Sequence, residues 1–362
     1  MEKKRAILIT AVFLALVFGF ALWHLLLPDG EISVFERRKL AQIPKADRES
    51  IFSGEFSGDL EEYLLDQFPM RQEFVNLNTS LRYYALGQTQ QDNIYLRGNS
   101  AFEADSLEEG QVQIAANKIE SICHEHLQNS KVYYAVIPDK AAFMEDQGQP
   151  RIDYERLREI IGDTLTLAGE IDIWPLLSQE DYYDTDLHWK QENIYPVAQK
   201  LAEEMEIQLV PFEEYEIHSL APFYGSYYAR SPKPLQADSL TYLTSSYTQR
   251  AFVTSAEFQG RRPVYMPDLL AGVDGYDVYL HGAQALLTIE VPNAQTDREL
   301  VIFRDSFGSS IAPYFLGAYS KVTLVDLRYM SSTLLSQYVD FDNADVLFLY
   351  STAILNNGSI LK

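Results

Sequence analysis

One apolar stretch near the amino terminus constrains this chain more than any other feature. Residues 6–27 are 22 consecutive uncharged, mostly apolar positions, enough at about 1.5 Å per residue to cross a hydrocarbon core roughly 30 Å thick. Residues 3–5 are Lys, Lys and Arg, and basic residues next to a membrane span stay in the cytoplasm. We therefore expect a cytoplasmic tail at 1–5, a membrane anchor at 6–27 and an extracytoplasmic remainder.

A cleaved signal peptide is the alternative interpretation of this segment. The apolar part of a signal peptide normally has about 7–15 residues and ends at a small-x-small cleavage site. Residues 23–28 read Trp-His-Leu-Leu-Leu-Pro and contain no such site. The sequence favours the uncleaved anchor.

Composition excludes several other classes of protein. With 52 acidic and 29 basic side chains the net charge is −23 at pH 7, which repels a nucleic-acid backbone. The single cysteine, Cys123, excludes an intramolecular disulfide and a cysteine-based zinc site. His124 and His126 follow it, but positions i and i+2 of a helix point to different faces, so we expect solvated surface and no metal. No glycine-rich nucleotide-binding loop occurs, and no cofactor is expected.

The region after the anchor divides into a stalk and a folded domain. Residues 28–49 mix charges and prolines without periodicity, as expected of a juxtamembrane stalk. The folded domain is predicted from about Ser50 to residue 362. Apolar residues at helical spacing on both sides of Pro69 predict two helices that meet there and pack on the core: Leu60, Tyr63, Leu64 and Phe68 before it, and Phe74, Leu77, Leu81 and Tyr84 after it.

Helical and strand patterns alternate through the folded domain. Helices are predicted over 108–128, 154–167 and 191–205, and strands over 131–137, 300–303, 321–325 and 345–350. Short, nearly all-apolar strands between helices indicate an α/β fold with a mostly parallel sheet that is covered on both faces. Residues from about 212 to 295 are rich in Tyr, Ser and Gly, which predicts an insertion or a β-rich flap over the sheet.

Two segments contain the residues best suited to chemistry. Asp186 lies two residues before His188, close enough to accept a hydrogen bond from the imidazole in an extended loop. Ser306 follows the apolar strand at 300–303, and open α/β sheets place their sites at such carboxyl ends. Together they predict an acyl-transfer triad with Ser306 as nucleophile, His188 as general base and acid, and Asp186 as the residue that orients His188. A helix that starts after Ser306 is expected to offer N–H groups to an oxyanion.

Six blocks of this sequence resemble one known family in the same order along the chain. The blocks are Phe68-Pro69-Met70-Arg71, Val136-Ile137-Pro138-Asp139-Lys140, Thr185-Asp186-Leu187-His188-Trp189, Phe223-Tyr224-Gly225-Ser226, Arg304-Asp305-Ser306-Phe307-Gly308 and Val325-Asp326-Leu327-Arg328-Tyr329. In these blocks the chain is similar to the DHHW family and its relatives, the alginate O-acetyltransferase proteins.

The resemblance implies a three-layer α/β domain like that of the SGNH hydrolases, outside the cytoplasm, with Asp186, His188 and Ser306 in the positions of the family's triad. Relatives that acetylate polysaccharides move acetyl groups onto sugar hydroxyls. The chain departs from the family pattern at three positions. Leu187 replaces the second histidine of the name-giving motif, Asn193 replaces a common glycine, and Arg304 stands where GDS-type hydrolases carry glycine, which leaves the oxyanion site undefined.

Several residues in these blocks are candidates for contact with substrate. Trp189 either stacks on a sugar or packs in the core beside His188. Arg304, Asp305 and Tyr224 belong to the resembling blocks and are expected to touch substrate. Arg328, at the end of a strand, either touches substrate or forms a structural ion pair.

A glycosidase is a further alternative, with Asp184 and Asp186 as its carboxylate pair. Such an enzyme needs its two carboxylates about 5–9.5 Å apart across a sugar, usually on separate elements. Two residues at i and i+2 do not fit that requirement, so Asp184 is interpreted as a turn residue.

The leading hypothesis is a Ser-His-Asp O-acyltransferase, acting with acetyl on a cell-surface or exported polysaccharide. Because acetyl-CoA is absent outside the cytoplasm, a multi-span membrane acyltransferase is the expected partner that supplies the acyl group. With water in place of the sugar, the same residues form a carbohydrate esterase. The alternative from another class is a catalytically silent scaffold that binds glycan, in which Ser306 is replaceable.

Overall fold

The computed structural model describes residues 2–145, 148–294 and 296–362. Its chain forms two compact units, one of residues up to 89 with 232–234, and one of residues 90–231 with 235–362. The division after Thr89 differs from the predicted start of the folded domain near Ser50. The segment at 50–89 belongs to the unit that contains the amino-terminal helix.

Helices dominate the amino-terminal unit. Its elements are α1 (Glu2–Leu26), β1 (Ile32–Ser33), β2 (Arg38–Lys39), α2 (Arg48–Ser53), α3 (Glu55–Asp66) and α4 (Arg71–Leu86). Within the described residues, α1 is the one helix that is long and apolar enough to cross a membrane. α3 and α4 flank Pro69 as predicted, but Leu64, Phe74 and Leu81 are exposed rather than packed on the core. Helical periodicity specifies an apolar face and does not specify what covers it.

The segment predicted as a stalk is hydrogen-bonded to the end of α3. Asp66 is buried and accepts bonds from Arg38 Nη1 at 2.7 Å and from the Ala41 amide at 2.8 Å. The Gln67 side chain accepts from the Gly30 amide and donates to the Ala41 carbonyl, each at 2.9 Å. Arg38 lowers the pKa of Asp66 to about 2 through this charged hydrogen bond. These bonds hold residues 30–41 in one conformation.

The second unit contains a large sheet with helices on both sides. Its elements in chain order are β3 (Ile94–Arg97), β4 (Ser100–Glu103), α5 (Glu109–His126), β5 (Val132–Ile137), α6 (Tyr154–Thr164), β6 (Gly169–Glu170), α7 (Tyr195–Glu204), β7 (Glu216–Phe223), β8 (Asp238–Thr244), α8 (Ser246–Arg250), β9 (Phe252–Ser255), β10 (Phe258–Arg262), β11 (Leu286–Glu290), β12 (Glu299–Arg304), α9 (Gly308–Ile311), β13 (Lys321–Val325), α10 (Leu335–Tyr338), β14 (Ala344–Ser351) and α11 (Thr352–Leu355). The strand order is β10-β9-β11-β13-β12-β14-β5-β6.

The predicted α/β fold with a mostly parallel sheet is confirmed. Strands β13, β12, β14, β5 and β6 pair in parallel. Along β12, Leu300 and Ile302 join an apolar cluster with α7, whereas Val301 and Phe303 join a second cluster with α5 and α6. Each such side chain stabilises the fold by about 1.5–3 kcal/mol when it is fully buried. Burial on both faces explains why the central strands read as continuous apolar runs.

The region at 212–295 is only partly a flap. β7 and β8 pair with each other as a separate hairpin, but β9, β10 and β11 extend the main sheet with antiparallel pairings. The insertion is therefore built into the sheet beside β13. The predicted helix over 191–205 is also modified, because a 3-10 turn at Gln191–Asn193 precedes α7.

Candidate active site

Ser306 lies in the turn that follows β12, at the carboxyl edge of the sheet. The Asp305 carboxylate fixes this turn, since it accepts hydrogen bonds from the amides of Phe307 at 3.0 Å and Ser351 at 2.8 Å. Asp305 is buried, whereas Ser306 is partly exposed. A central strand and a buried carboxylate thus present one hydroxyl to solvent.

The loop that contains Asp186 and His188 is tied down by a residue from β8. Asp238 accepts hydrogen bonds from the Asp184 amide at 2.9 Å, the Thr185 amide at 2.8 Å and the Thr185 hydroxyl at 2.6 Å. Burial raises the pKa of Asp238, and these three bonds act in the opposite direction. The Tyr183 amide closes the loop on the His188 carbonyl at 3.1 Å. The loop is therefore positioned by backbone bonds at several points.

Asp186, His188 and Ser306 form a continuous chain of hydrogen bonds. His188 Nδ1 lies 2.5 Å from Asp186 Oδ1, and His188 Nε2 lies 2.7 Å from Ser306 Oγ. The other carboxylate oxygen, Asp186 Oδ2, accepts from the Ser226 amide at 2.6 Å. A carboxylate facing Nδ1 places the imidazole proton there and leaves Nε2 to accept the proton of Ser306. The arrangement suits removal of a proton from Ser306.

Gly225 is required by the close approach of two backbone segments. A Cβ atom at this position would lie 2.3 Å from both the Thr185 carbonyl oxygen and Asp186 Cβ. The Gly225 amide donates to Thr185 Oγ1 at 3.0 Å, and the amide of the next residue, Ser226, donates to the Asp186 carboxylate. The block at 223–226 that the sequence resemblance singled out therefore holds the Asp186 carboxylate in place.

Tyr276 is a residue of this site that the sequence analysis did not identify. Its ring stacks on the His188 imidazole, with centroids 3.8 Å apart and planes 8° apart. Its hydroxyl donates to Ser310 Oγ at 2.8 Å, and Trp189 Nε1 donates to the same oxygen at 2.8 Å. Phe307 contacts the imidazole as well, with ring centroids 4.8 Å apart. Tyr276 lies in the Tyr-rich insertion, where no local pattern distinguishes it.

Lys140 is buried beneath the same loop and contacts no carboxylate within hydrogen-bonding distance among the described residues. Its Nζ donates to the Tyr183 carbonyl at 2.5 Å, the Asp184 carbonyl at 3.3 Å and the Ala101 carbonyl. Burial lowers the pKa of Lys140 to about 8, with the Asp186 charge acting in the opposite direction. The available signal in the sequence was its place in the block at 136–140.

Most of the predicted substrate-contact residues are structural. Trp189 is fully buried, so its indole packs in the core and does not stack on a sugar. Arg304 is also fully buried, with Nη1 3.9 Å from Asp326 Oδ2. Arg328 binds both oxygens of Asp326, at 2.9 and 2.6 Å, which agrees with the ion-pair interpretation. The Asp305 carboxylate fixes the turn described above. Tyr224 differs from these candidates, because it is partly exposed and its ring lies edge-on to that of Tyr228.

The backbone amides after Ser306, which were expected to bind an oxyanion, donate hydrogen bonds within the turn itself. The Phe307 amide binds the Asp305 carboxylate, the Gly308 amide binds the Asp305 carbonyl at 3.1 Å, and the Ser309 amide binds the Ser306 carbonyl at 3.1 Å. The turn itself consumes these N–H groups because α9 begins only at Gly308. The expectation that this helix offers N–H groups to an oxyanion stays a prediction, and in this structure these three amides donate within the turn. Within the described residues no group of three or more His, Cys, Asp or Glu side chains is arranged to hold a metal ion.

Comparison with known proteins identifies structural relatives. No protein-family model and no curated protein sequence matches the chain. A DHHW family protein from Eubacterium siraeum is 18% identical, with a TM-score of 0.61 over 74% of this chain and 92% of that one. PatB1 from Bacillus cereus is 18% identical, with a TM-score of 0.59 over 74% of this chain and 98% of that one. The O-acetyltransferase domain of Pseudomonas putida AlgJ is 14% identical, with a TM-score of 0.46 over 73% of this chain and 92% of that one. The predicted resemblance to DHHW proteins is thus confirmed as a similarity of fold.

Proposed function

We propose that this chain is a membrane-anchored serine O-acyltransferase that acts outside the cytoplasm. The observation that carries the proposal is the hydrogen-bonded chain from Ser306 through His188 to Asp186. A glycan-binding scaffold has no need of a partly exposed serine bonded to a buried His–Asp pair. The apolar helix α1 supports the anchor, and the basic residues before it support a cytoplasmic amino terminus.

The reaction proceeds in two steps through an acyl-serine. In the first, Ser306 Oγ attacks the carbonyl carbon of the acyl donor while His188 Nε2 accepts the hydroxyl proton. The tetrahedral intermediate collapses, and His188 returns the proton to the leaving group. In the second, His188 removes a proton from a sugar hydroxyl, which attacks the acyl-serine, and Ser306 regains the proton. Water in place of the sugar releases the free acid, which is the esterase reaction.

The sheet unit contains a polar cavity whose side chains are of types that suit a hydroxyl-rich ligand. It has a volume of about 550 Å³, and its lining includes Asp139, Tyr227 and Asn356. The Tyr227 amide donates to the Thr185 carbonyl at 2.9 Å, but neither Ser306 nor His188 is among the residues that line this cavity. Carboxylates, amides and tyrosines are the side chains that bind hydroxyl-rich ligands. A multi-span membrane acyltransferase is the proposed source of the acyl group.

The test is acylation of the full-length chain in detergent micelles. A chromogenic acetyl ester and a sulfonyl fluoride are added separately, and mass spectrometry locates the adduct. We expect an adduct on Ser306 in the wild type and in the surface control Ser121→Ala, and none in Ser306→Ala. His188→Ala is expected to lose at least 1,000-fold in rate, on the order found when one triad member is removed.

A second experiment, in which an acceptor sugar is added, distinguishes a transferase from an esterase. A neutral oligosaccharide is added together with the acetyl ester, and acetylated sugar is measured beside free acetate. Acetylated sugar that requires Ser306 supports the transferase, whereas acetate alone supports the esterase. A folded wild-type chain that forms no adduct with either reagent would favour the silent glycan-binding alternative.

A further inference from the structure

The corner between α3 and α4 exposes a continuous group of large apolar side chains. Phe68, Met70, Phe74 and Leu77 are between 40% and 56% exposed. On α4 the stripe continues to Leu81, so that residues 74, 77 and 81 follow the i, i+3, i+7 spacing of one helical face. Contiguous exposed apolar side chains mark surfaces that another apolar phase covers.

The same corner contacts the apolar helix α1. The ring of Phe68 stacks on that of Phe20, with centroids 5.5 Å apart and planes 10° apart. Phe74 meets Phe20 edge-on at 6.0 Å, and Tyr63 meets His24 edge-on at 5.6 Å. An apolar groove of about 600 Å³ runs between α1 and α3 beside these contacts. The exposed corner is therefore continuous with the surface of α1.

The position of Phe20 along α1 gives the depth of this contact. Phe20 lies seven residues before Leu27, the last residue of the apolar stretch, and a helix rises about 1.5 Å per residue. When residues 6–27 span the bilayer, Phe20 lies about 10 Å inside the outer end of the span. Phe68 and Phe74, which touch Phe20, then lie at the depth of the outer leaflet's acyl chains and headgroup boundary.

We propose that the α3–α4 corner is a second membrane contact of this chain, in which Phe68 and Met70 enter the outer leaflet and α4 lies along the interface. The proposal rests on the anchor of the proposed function and does not depend on its chemistry. The occupant of the exposed surface is lipid, because that surface continues onto a helix that is long and apolar enough to span a membrane and whose side chains are exposed apart from those, such as Phe20 and His24, that contact the corner.

Charges next to the corner are arranged in a way that is compatible with this position. Arg71, three residues after Phe68, pairs with Glu36, and Asp66 pairs with Arg38. Each of these four charges has an opposite partner, and the Asp66 carboxylate is only 4% exposed, whereas Glu73 beside Phe74 is exposed to the surroundings. Paired charges lower the cost of placing a polar segment against the headgroup region. Two tyrosines near the end of α4, at positions 83 and 84, are of the residue type enriched at membrane interfaces.

The experiment places a fluorescent probe at single cysteines in the full-length chain. Cys123 is buried and is replaced by alanine. The probe, an environment-sensitive NBD group, is attached at Met70→Cys or Leu77→Cys, with Phe13→Cys in α1 as the membrane control and the exposed Asp163→Cys on α6 as the aqueous control. Each protein is reconstituted into phosphatidylcholine vesicles. Quenching by doxyl-labelled lipid is compared with quenching by iodide.

We expect the probes at positions 70 and 77 to respond as the probe at 13 does, with at least a threefold larger response to doxyl lipid than the probe at 163 and a correspondingly smaller response to iodide. If they respond like the probe at 163 while the probe at 13 is quenched by lipid, the corner lies in water and the proposal is overturned. That outcome is also the one expected if the surface binds only a membrane protein, since the vesicles contain none. If the probe at 13 is accessible to iodide as well, the anchor itself fails. The acylation of Ser306 is measured in a separate experiment, and neither quenching result changes what that experiment tests.

Discussion

The two units of this molecule place their aromatic side chains in opposite environments. In the sheet unit, Tyr276, Trp189 and Phe307 are buried around His188. In the amino-terminal unit, Phe68 and Phe74 pack on α1 and remain about half exposed. The sheet unit completes its core from its own residues. The amino-terminal unit leaves apolar side chains exposed. On the two proposals made above, the same residue types support catalysis in one unit and membrane attachment in the other.

The largest effect that would sharpen this comparison is expected at Asp186. Asp186→Asn keeps the shape of the side chain but removes the charge that holds the His188 proton on Nδ1, so kcat should fall by roughly 10⁴-fold. Rates of acetyl ester hydrolysis measure it. The matched control is Asp184→Asn, because Asp184 is exposed and binds Asp238 through its backbone amide. Equal losses in both variants would contradict the role assigned to Asp186.

Gly225 tests how densely the sheet unit is packed around the site. Gly225→Ala introduces a Cβ 2.3 Å from the Thr185 carbonyl oxygen, which backbone atoms cannot easily avoid. We expect a loss of several kcal/mol in the free energy of unfolding and about a 100-fold loss in kcat/KM. Gly110→Ala in the first turn of α5 is the control, since nothing lies within 4 Å of the added Cβ, and it should not destabilise the protein. Denaturant unfolding distinguishes the two.

The lowered pKa of Lys140 predicts how activity depends on pH. Its pKa of about 8 means that it is charged below that pH and neutral above it, so its bonds to the Tyr183 and Asp184 carbonyls weaken as pH rises. We expect kcat/KM to decline above about pH 8 in the wild type. Lys140→Met should reduce kcat/KM about 10-fold at pH 7, because it leaves buried carbonyls without a donor, and should remove the decline. A decline that persists in Lys140→Met would assign it to another group.

Two variants of Tyr276 distinguish the effect of its stacking on His188 from that of its hydrogen bond to Ser310. Tyr276→Leu removes the ring that lies 3.8 Å from His188 and should lower kcat/KM about 10-fold, since an aromatic face stabilises an imidazolium by about 0.5–2 kcal/mol. Tyr276→Phe keeps the ring, loses only the bond to Ser310, and should lower kcat/KM by about threefold or less. The rank order of the two variants is the result to measure. A larger loss of kcat/KM in Tyr276→Phe than in Tyr276→Leu would assign the effect to the Tyr276 hydroxyl.

The smallest effect on activity is expected in the amino-terminal unit. Asp66→Asn breaks the pair with Arg38 and should cost about 1–2 kcal/mol of stability at pH 7 with unchanged kcat/KM. Because the folded pKa of Asp66 is about 2, below its unfolded value near 4, this contribution is present above about pH 4 and disappears as pH falls toward 2. Thermal unfolding of the full chain at pH 7 and pH 3 checks it. A large loss of activity in Asp66→Asn would contradict the assignment of catalysis to the sheet unit alone.

The central sheet was predictable from the sequence because buried parallel strands are continuous apolar runs. The prediction for 321–325 coincides with β13, and the one for 300–303 lies within β12. Strands β9 and β10 were not predicted, since they lie toward one edge of the sheet and carry alternating polar residues. The helices at 55–66 and 71–86 were recognised, but their partner surface was assigned to the core because periodicity alone does not identify a partner.

The candidate site was predictable only where local sequence determines geometry. Asp186 and His188 are two residues apart, and Ser306 follows a recognisable strand, so the three could be grouped in advance. The stacking of Tyr276 and the carbonyl contacts of Lys140 depend on how distant segments pass one another. The hydrogen bond from the Phe307 amide to the Asp305 side chain could not be predicted either, because it depends on the conformation of the turn.

The separation of His188 from Ser306 has a consequence for when reactivity arises. The two residues are 118 positions apart, and Ser306 follows β12, which pairs with β13 and β14, two strands that come later in the chain. Until these strands have paired, Ser306 is an ordinary alcohol. Non-local strand pairing is a late and slow event in folding. On the proposed function, Ser306 therefore becomes a nucleophile only in a chain whose sheet has formed.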